Sequence, residues 1–376
     1  MSAPDILIVG AGIVGAACAE ACARAGFRVL VVDRGPIGGG TTAAGMGHLV
    51  VMDDSEAQFA LTSYSVRLWQ ERAAQLPADV EFDPCGTLWV AADDEEMAEV
   101  HRKHAFYSAR GIATEVLDAP ALARAEPELR PGLAGGLRVP GDAVLYPPCA
   151  ARHLLASAQR LNATLRLDAS VTQLDRDGVR LADGTRLAAG TVVNAAGCWS
   201  PALTAGLPVR KRKGHLVITD RVPGFVHHQL VELGYLKSAH GVASDSVAFN
   251  IQPRRTGQML VGSSRQFDAD ETDIHPPLLR RMLARATEYL PRLPQLTAIR
   301  VWTGHRAATP DKLPLIGPLE ERAGVWLATG HEGLGITTSL GTGQLLADLL
   351  AGRAPAIPAE PFSPRRPGLA AKAAHG

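Results

Sequence analysis

The sequence predicts an α/β fold: a parallel-sheet domain interrupted by an inserted, mainly antiparallel-sheet domain. Three observations predict it. Asp5-Ile-Leu-Ile-Val9, the Ala-rich stretch Gly10–Ala25 and Arg28-Val-Leu-Val-Val-Asp33 form strand, helix and strand within about 30 residues, the signature of a βαβ unit. Further short apolar strands of the same kind recur at Thr191–Ala195 and Val325–Ala328, in the middle and near the end of the chain. Between them lie alternating segments and turn residues that suit antiparallel pairing.

Taken in order, the glycine-rich loop Gly35–Gly47 follows the βαβ unit, and Ser55–Leu76 reads as a long amphipathic helix. Val80–Ala92 reads as two strands turning at Pro84–Gly86, and Asp93–Ala109 as a helix whose acidic first turn favours the helix dipole. Leu137–Val139 is a strand end, and Tyr146–Leu161 a helix with Pro147 and Pro148 at its start. Thr164–Leu167, Val171–Arg176 and Gly178–Leu187 are strands, the last with a hairpin turn at Asp183-Gly184. Gly214–Thr219, Val247–Gln252 and Met259–Gly262 predict a meandering antiparallel sheet, Pro276–Tyr289 a helix, and Thr338–Leu350 the last helix. The expected division is 1–80, 136–208 and 300–352 in the parallel domain, and 81–135 and 209–299 in the inserted one. A Pro-rich tail, 353–376, is expected to be loosely ordered.

Composition narrows the function. Among 376 residues, Lys+Arg and Asp+Glu both number 38, so the chain lacks the basic field of a nucleic-acid protein. Apolar residues make up 46%, enough for sizeable cores. Five scattered cysteines describe no disulfide scaffold and offer no zinc or iron–sulfur spacing, so no metal is expected and reduced thiols suit a cytoplasmic protein. Asp5 precedes the apolar run Ile6–Ala19, which argues against a secretory signal, and no transmembrane segment is expected. Arg210-Lys-Arg-Lys213 reads as a solvated strand edge.

The chemistry begins at Gly10-Ala-Gly12-Ile13-Val14-Gly15, a G-x-G-x-x-G between strand and helix. Gly10 permits the tight turn, Gly12 lets a pyrophosphate approach the backbone, and Gly15 lets helix and strand pack closely. The helix N-terminus favours the anion. Asp33 ends the second strand, where an acidic group accepts hydrogen bonds from ribose hydroxyls. A dinucleotide site follows, with no second such motif for a nicotinamide partner.

These residues, with Gly40-Thr-Thr-Ala-Ala-Gly-Met-Gly47, Asn194-Ala-Ala-Gly-Cys-Trp-Ser200, Gly304–Gly317 and Ala328–Thr337, resemble the D-amino-acid oxidase family of FAD proteins. The resemblance implies a Rossmann-like FAD-binding domain and an inserted substrate domain. It implies that Asp33 holds the adenosine ribose with Arg34 beside it, and that Thr41, Thr42, Ala44, Gly45, Met46 and Gly47 run past the pyrophosphate and isoalloxazine. Val171 would meet the adenine, and Ala195, Gly197 and Trp199 the ADP portion. Gly330, Gly333, Leu334, Gly335, Ile336 and Thr337 would approach the pyrimidine edge of the flavin.

Arg306 resembles the family arginine that grips a substrate carboxylate, although Ala307 stands where proline often follows it. A guanidinium fork pairs a carboxylate through two parallel hydrogen bonds. Arg254 is the second choice for that role, and His48 and His331 are candidates to contact substrate or adjust flavin charge. The implied reaction is oxidation of the C–N bond of a small amino or imino acid, by hydride transfer from Cα to flavin N5. Residues 41–54 are most similar to those of bacterial D-hydroxyproline dehydrogenase flavoprotein subunits, which implies a cis-4-hydroxy-D-proline or D-proline substrate and iron–sulfur or ferredoxin-like partner chains. The alternatives are an oxidase of glycine, sarcosine or a D-amino acid that releases hydrogen peroxide, and a non-catalytic FAD-binding subunit.

Overall fold

The computed structural model describes residues 3–234, 245–267 and 269–369. Two large sheets organise it. The first has six strands in the order β18-β19-β12-β1-β2-β8: β1 Ile6–Val9, β2 Val29–Val32, β8 Thr164–Arg166, β12 Thr191–Asn194, β18 Leu315–Pro318 and β19 Val325–Thr329. All neighbours are parallel except β18 against β19. Helices Ile13–Arg24, Pro147–Arg160 and Ser339–Leu350 pack together on this sheet and share one core. Cys18 and Cys22 are buried in that core, small apolar side chains on an Ala-rich helix.

The second sheet has eight strands in the order β17-β13-β16-β15-β14-β4-β6-β5. These are β4 Thr87–Ala91, β5 Glu115–Asp118, β6 Gly135–Val139, β13 Arg210–Thr219, β14 Gln229–Glu232, β15 Ser246–Pro253, β16 Met259–Arg265 and β17 Ala298–Ala308. All neighbouring strands are antiparallel except β14 with β4. Helix Pro276–Tyr289 covers it, stacking Tyr289 on Phe249 at 4.6 Å between ring centroids. A three-stranded sheet of β9 Val171–Asp175, β10 Gly178–Leu181 and β11 Arg186–Ala188, and a short pair of β3 His48–Leu49 and β7 Ala143–Val144, complete the strands.

Most predicted elements form, and three expectations are corrected. Val80 lies in a 3-10 turn that ends at Glu81 with φ +50°, so only β4 forms over 80–92. The basic run is no solvated edge. It begins β13, between β17 and β16, where Lys213 is buried and ion-paired to Glu271 at 3.1 Å and Arg212 turns towards Glu332. The tail is docked through its described part: Phe362 and Leu369 are buried, and Arg366 grips Asp311 with two hydrogen bonds of 2.6 and 2.7 Å. Residues 370–376 of that tail lie outside the described ones.

The segment between β3 and helix Glu56–Arg72 is pinned by buried charge. Lys103, wholly buried, is ion-paired to Asp53, and Asp142 Oδ1 accepts from the Val51 N–H at 3.1 Å. Burial pushes the Asp142 carboxyl up to about 7. Its native pKa is thus raised above the unfolded value, so the native state favours the proton. Asp142 therefore costs nothing below about pH 4 and increasingly opposes folding as pH rises towards 7. Asp142→Asn keeps the acceptor and removes the titration. We expect it to raise stability at pH 8 by on the order of 3–4 kcal/mol and to leave it unchanged at pH 4. Urea midpoints at the two pH values check this.

Candidate functional site

The predicted glycines do what their spacing requires. β1 ends at Gly10, whose φ is +120°, and helix Ile13–Arg24 opens at once from Gly12. A Cβ on Gly15 would lie 1.9 Å from the Gly10 carbonyl oxygen, so Gly15 is the point of close packing. Asp33, at the end of β2, ties this turn together. Its Oδ2 accepts from the Ala11 N–H at 2.6 Å and its Oδ1 from the Gly35 N–H at 2.9 Å.

A cavity of about 660 Å³ starts at this turn and runs between the two sheets. Gly10, Gly12, Ile13, Val14, Asp33 and Arg34 line its outer end. Val171, Ala195, Gly197 and Trp199 form an adjoining wall, with the Arg34 guanidinium 4.4 Å over the Trp199 ring. Thr41, Thr42, Ala44, Gly45 and Met46 pass along the middle, and Gly330, His331, Gly333, Gly335 and Ile336 close the inner end. The cavity thus lies at the carboxyl ends of β1 and β2, where open α/β sheets bind their ligands.

Hydrogen bonds tie the segment 41–44 to the start of helix Ile13–Arg24 on one side and to β17 on the other. Thr42 Oγ1 accepts from the Ile13 N–H at 3.0 Å, Thr41 donates to the His305 carbonyl at 2.8 Å, and Trp302 donates to the Ala44 carbonyl at 3.3 Å. A Cβ on Gly304 would sit 2.3 Å from the Ala44 Cβ, which makes glycine the residue that lets β17 approach this loop.

A second, smaller cavity of about 110 Å³ shares Met46, His48, Arg306, Glu332 and Gly333 with the first. Arg306 on β17 stands opposite Arg212 on β13, and its Nη1 donates to the Ser264 carbonyl at 3.1 Å. Glu332, with φ +47°, is held beside it by a backbone hydrogen bond to Ala307 and by Arg212 at 2.6 Å. Burial alone would push the Glu332 carboxyl up, but Arg212, Arg265, Arg306 and Lys312 around it hold it below the ordinary carboxylate range. The small cavity is therefore cationic, with four basic side chains facing Glu332 and Asp54.

The histidines differ in role. His48 bonds the Gly333 carbonyl through Nε2 at 3.1 Å, which requires that nitrogen to carry the proton. Burial pushes the His48 pKa down to about 4, so the ring is neutral and Nδ1 presents a lone pair. That Nδ1 is buried, has no hydrogen-bond partner, and belongs to a side chain lining both cavities. His331 bonds Thr342 at 3.0 Å and is pushed down to about 3 by burial, so it forms a neutral wall of the large cavity.

Four predicted residues act at one remove. Gly47 turns with φ +104° against the Leu145 carbonyl, and Gly15 packs on Gly10. Thr337 donates to the His48 carbonyl at 2.9 Å, and Leu334 lines the small cavity. Arg254 is a correction. It is ion-paired to Glu81 at 2.6 Å and donates to the Leu145 carbonyl at 2.9 Å, and it lines neither cavity. Arg212, Arg265, Lys312, Glu332, Gln229 and Asn250 were not among the expected site residues. For Arg212, Arg265, Gln229 and Asn250 the one signal was alternation along strands whose facing was unknown, and Lys312 and Glu332 lie in loops within the segments 304–317 and 328–337.

A family model described as DAO, FAD dependent oxidoreductase, matches residues 5–349. The chain belongs to this family. Glycine oxidase of Pseudomonas aeruginosa is 32% identical over 380 residues, covering 96% of this chain and 98% of the relative. Hydrogen cyanide synthase subunit HcnC of the same organism is 29% identical, covering 92% of each chain. The crystal structure of glycine oxidase from Geobacillus kaustophilus superposes with a TM-score of 0.86 at 26% identity, covering 97% of this chain and 99% of that one. The protein is accordingly an FAD-dependent amino acid oxidoreductase of the DAO family. The large cavity fits that cofactor. Gly10 and Gly12 leave the backbone bare where a pyrophosphate approaches a helix N-terminus, and the lining turns from Asp33 and Arg34 at one end to neutral glycine backbone at the other. Among the described residues no acidic or Cys/His cluster could hold a metal, and no helix is long and apolar enough to cross a membrane.

Proposed function

We propose that this DAO-family protein oxidises the C–N bond of a small amino or imino acid whose carboxylate is held by Arg306. The observation that carries this reading is the place of Arg306. It is a guanidinium at the junction of a cavity sized for a dinucleotide and a small cationic cavity behind it. Its Nη1 donates to the Ser264 carbonyl, and a planar guanidinium placed there has the geometry that pairs a carboxylate through two parallel hydrogen bonds.

In that pose the substrate nitrogen lies near His48, whose Nδ1 lone pair accepts an amine N–H and keeps the nitrogen lone pair aligned for C=N formation. Val50, Met52, Val231 and Leu334 give the small cavity apolar sides that exclude water. Asp33, Arg34, Thr41, Thr42 and the Gly333–Ile336 turn would hold FAD, which when bound supplies the acceptor for the hydride from Cα. In this reading the six-stranded sheet belongs to the cofactor domain and the eight-stranded sheet to the substrate domain.

Within that class the favoured substrate is a cyclic D-imino acid, cis-4-hydroxy-D-proline or D-proline, with the electrons passing to an iron–sulfur or ferredoxin-like partner chain. The residues 41–54 support this subtype, and the name of one relative as a synthase subunit fits a chain that works with partners. The oxidase reading is favoured by the glycine oxidase relatives. An anaerobic titration of the FAD-loaded protein decides between them, with cis-4-hydroxy-D-proline, D-proline, sarcosine, glycine and D-alanine as the panel. We expect the flavin colour to bleach with a cyclic D-imino acid and to return slowly in air. Fast return with peroxide establishes the oxidase. Absence of bleaching by every compound would leave a protein that binds FAD without this chemistry.

A further inference from the structure

Two non-glycine residues that line the small cavity hold left-handed backbone: Glu332, described above, and Lys312, with φ +63°. A lysine rarely adopts that region, because its Cβ crowds the backbone, and it persists there only where the surrounding structure holds it. Lys312 sits in the loop between β17 and β18. Its Nζ stands 3.7 Å from Asp54 Oδ2, and both side chains line the cavity. Its charge adds to those of Arg212, Arg265 and Arg306 around Glu332.

The hold on that loop comes from the C-terminal tail. Arg366 donates through Nε and Nη2 to both oxygens of Asp311, through Nη2 to the Leu313 carbonyl at 2.8 Å, and through Nη1 to the Pro314 carbonyl at 2.9 Å. These acceptors flank Lys312 on both sides in the chain. The turn is closed from within as well: Asp311 Oδ1 accepts from the Leu313 N–H at 3.2 Å, and Thr309 Oγ1 donates to the Leu313 carbonyl at 2.8 Å. Arg366 is itself buried, between the buried Phe362 and Leu369 in the sequence, so the fork has a fixed base. One guanidinium therefore fixes the neighbours of Lys312 while lining neither cavity.

Without that clamp the turn is free to relax to negative φ and carry the ammonium away from the cavity. With it, a cation is kept facing a partly enclosed space, where its attraction for an anion is screened less than in open water. We propose that Lys312 is a binding residue of the small cavity, adding its charge to the hold on the substrate carboxylate, and that Arg366 of the tail is the positioning residue that keeps it there. The inference rests on the small cavity as the place where the carboxylate binds. It does not depend on which amino or imino acid is oxidised, or on the electron acceptor.

The test is a mutant cycle read by binding as well as by flavin bleaching. Tetrahydrofuran-2-carboxylate has a ring oxygen in place of the amine and forms no imine, so calorimetry on the FAD-loaded protein gives its Kd directly. The bleaching half-point is measured with the panel compound that serves as substrate. Lys312→Met should raise both values by roughly two- to fivefold, the range for a partly exposed charge pair. Arg366→Leu should raise them by a similar factor in the wild-type chain and leave them unchanged in the Lys312→Met chain, while lowering the melting temperature in both. Asp311→Asn weakens the same clamp more gently and should give a smaller shift with the same dependence on Lys312, which keeps the test alive if Arg366→Leu does not fold. Lys312→Gly relieves the backbone, so it should melt no lower than the wild type yet bind as weakly as Lys312→Met. Wild-type affinity in Lys312→Met or Lys312→Gly would overturn the inference. So would an Arg366→Leu or Asp311→Asn effect of equal size in both chains, because the tail would then act on the fold alone. If no compound bleaches the flavin but the Kd values follow this cycle, the catalytic reading falls and this one stands.

Discussion

Arg306→Lys is expected to raise the substrate concentration for half-bleaching by roughly 10- to 150-fold, with FAD retained in full. The reason is geometric. Arg306 Nη1 donates to the Ser264 carbonyl at 3.1 Å, and the side chain lines both cavities. A lysine ammonium keeps the charge but cannot donate two parallel bonds from a fixed plane. Hydrogen bonds to charged groups contribute about 1.5–3 kcal/mol, and each 1.4 kcal/mol is tenfold, which sets the range. Glu332 is a carboxylate already set among Arg306 and the other cations of this site. Gly214, on the strand opposite, has room for no side chain here: a Cβ would lie 2.5 Å from Arg306 Nη1. An unchanged half-point in Arg306→Lys would remove this residue from substrate recognition.

The dinucleotide end of the site was legible in the sequence because its residues are local. Gly10, Gly12, Gly15 and Asp33 fall within one βαβ unit, where spacing alone fixes which face and which turn each occupies. The substrate end was not legible for the opposite reason. It draws Arg306, Arg212, Arg265, Asn250, Gln229 and Trp89 from six successive strands of one sheet, and that sheet takes its strands from residues 87 to 308. No spacing rule links them. Arg210-Lys-Arg-Lys213 looked solvated because four consecutive charges usually are, yet period-two alternation in β13 sends Arg212 to the site. Arg254 misled for the same reason. It has the right chemistry near a strand end, and only the fold shows it spent on Glu81. The tail, five prolines in its 24 residues, was misread because Arg366 finds Asp311 across 55 residues of sequence.

The largest loss of structure is expected from Gly10→Ala. Gly10 holds φ +120°, outside the range that side-chain-bearing residues adopt readily, so alanine there is strained whatever the space. There is also no space: the new Cβ would stand 2.5 Å from the Ala195 carbonyl oxygen and 2.9 Å from its carbon, both backbone atoms of the segment following β12. A flexible side chain could move aside, but these atoms are fixed by the Ala195 N–H donating to the Val9 carbonyl at 2.9 Å. Strain of about 1–3 kcal/mol and overpacking of about 1–3 kcal/mol together consume a large part of a typical domain's stability. Relief would come from moving the turn away from β12, and that turn carries the Ala11 N–H held by Asp33 and the bare helix N-terminus at Gly12. The cofactor site and the fold therefore fail together. Gly10→Ala should purify with far less than one FAD per chain and melt several degrees below the wild type, with added FAD restoring little. By contrast, an alanine at Gly26, where φ is +93° but nothing lies within 4 Å of the new Cβ, should lower the melting temperature slightly and keep its flavin. If both variants lost FAD equally, backbone strain alone would account for the effect, and contact with Ala195 would not be the cause.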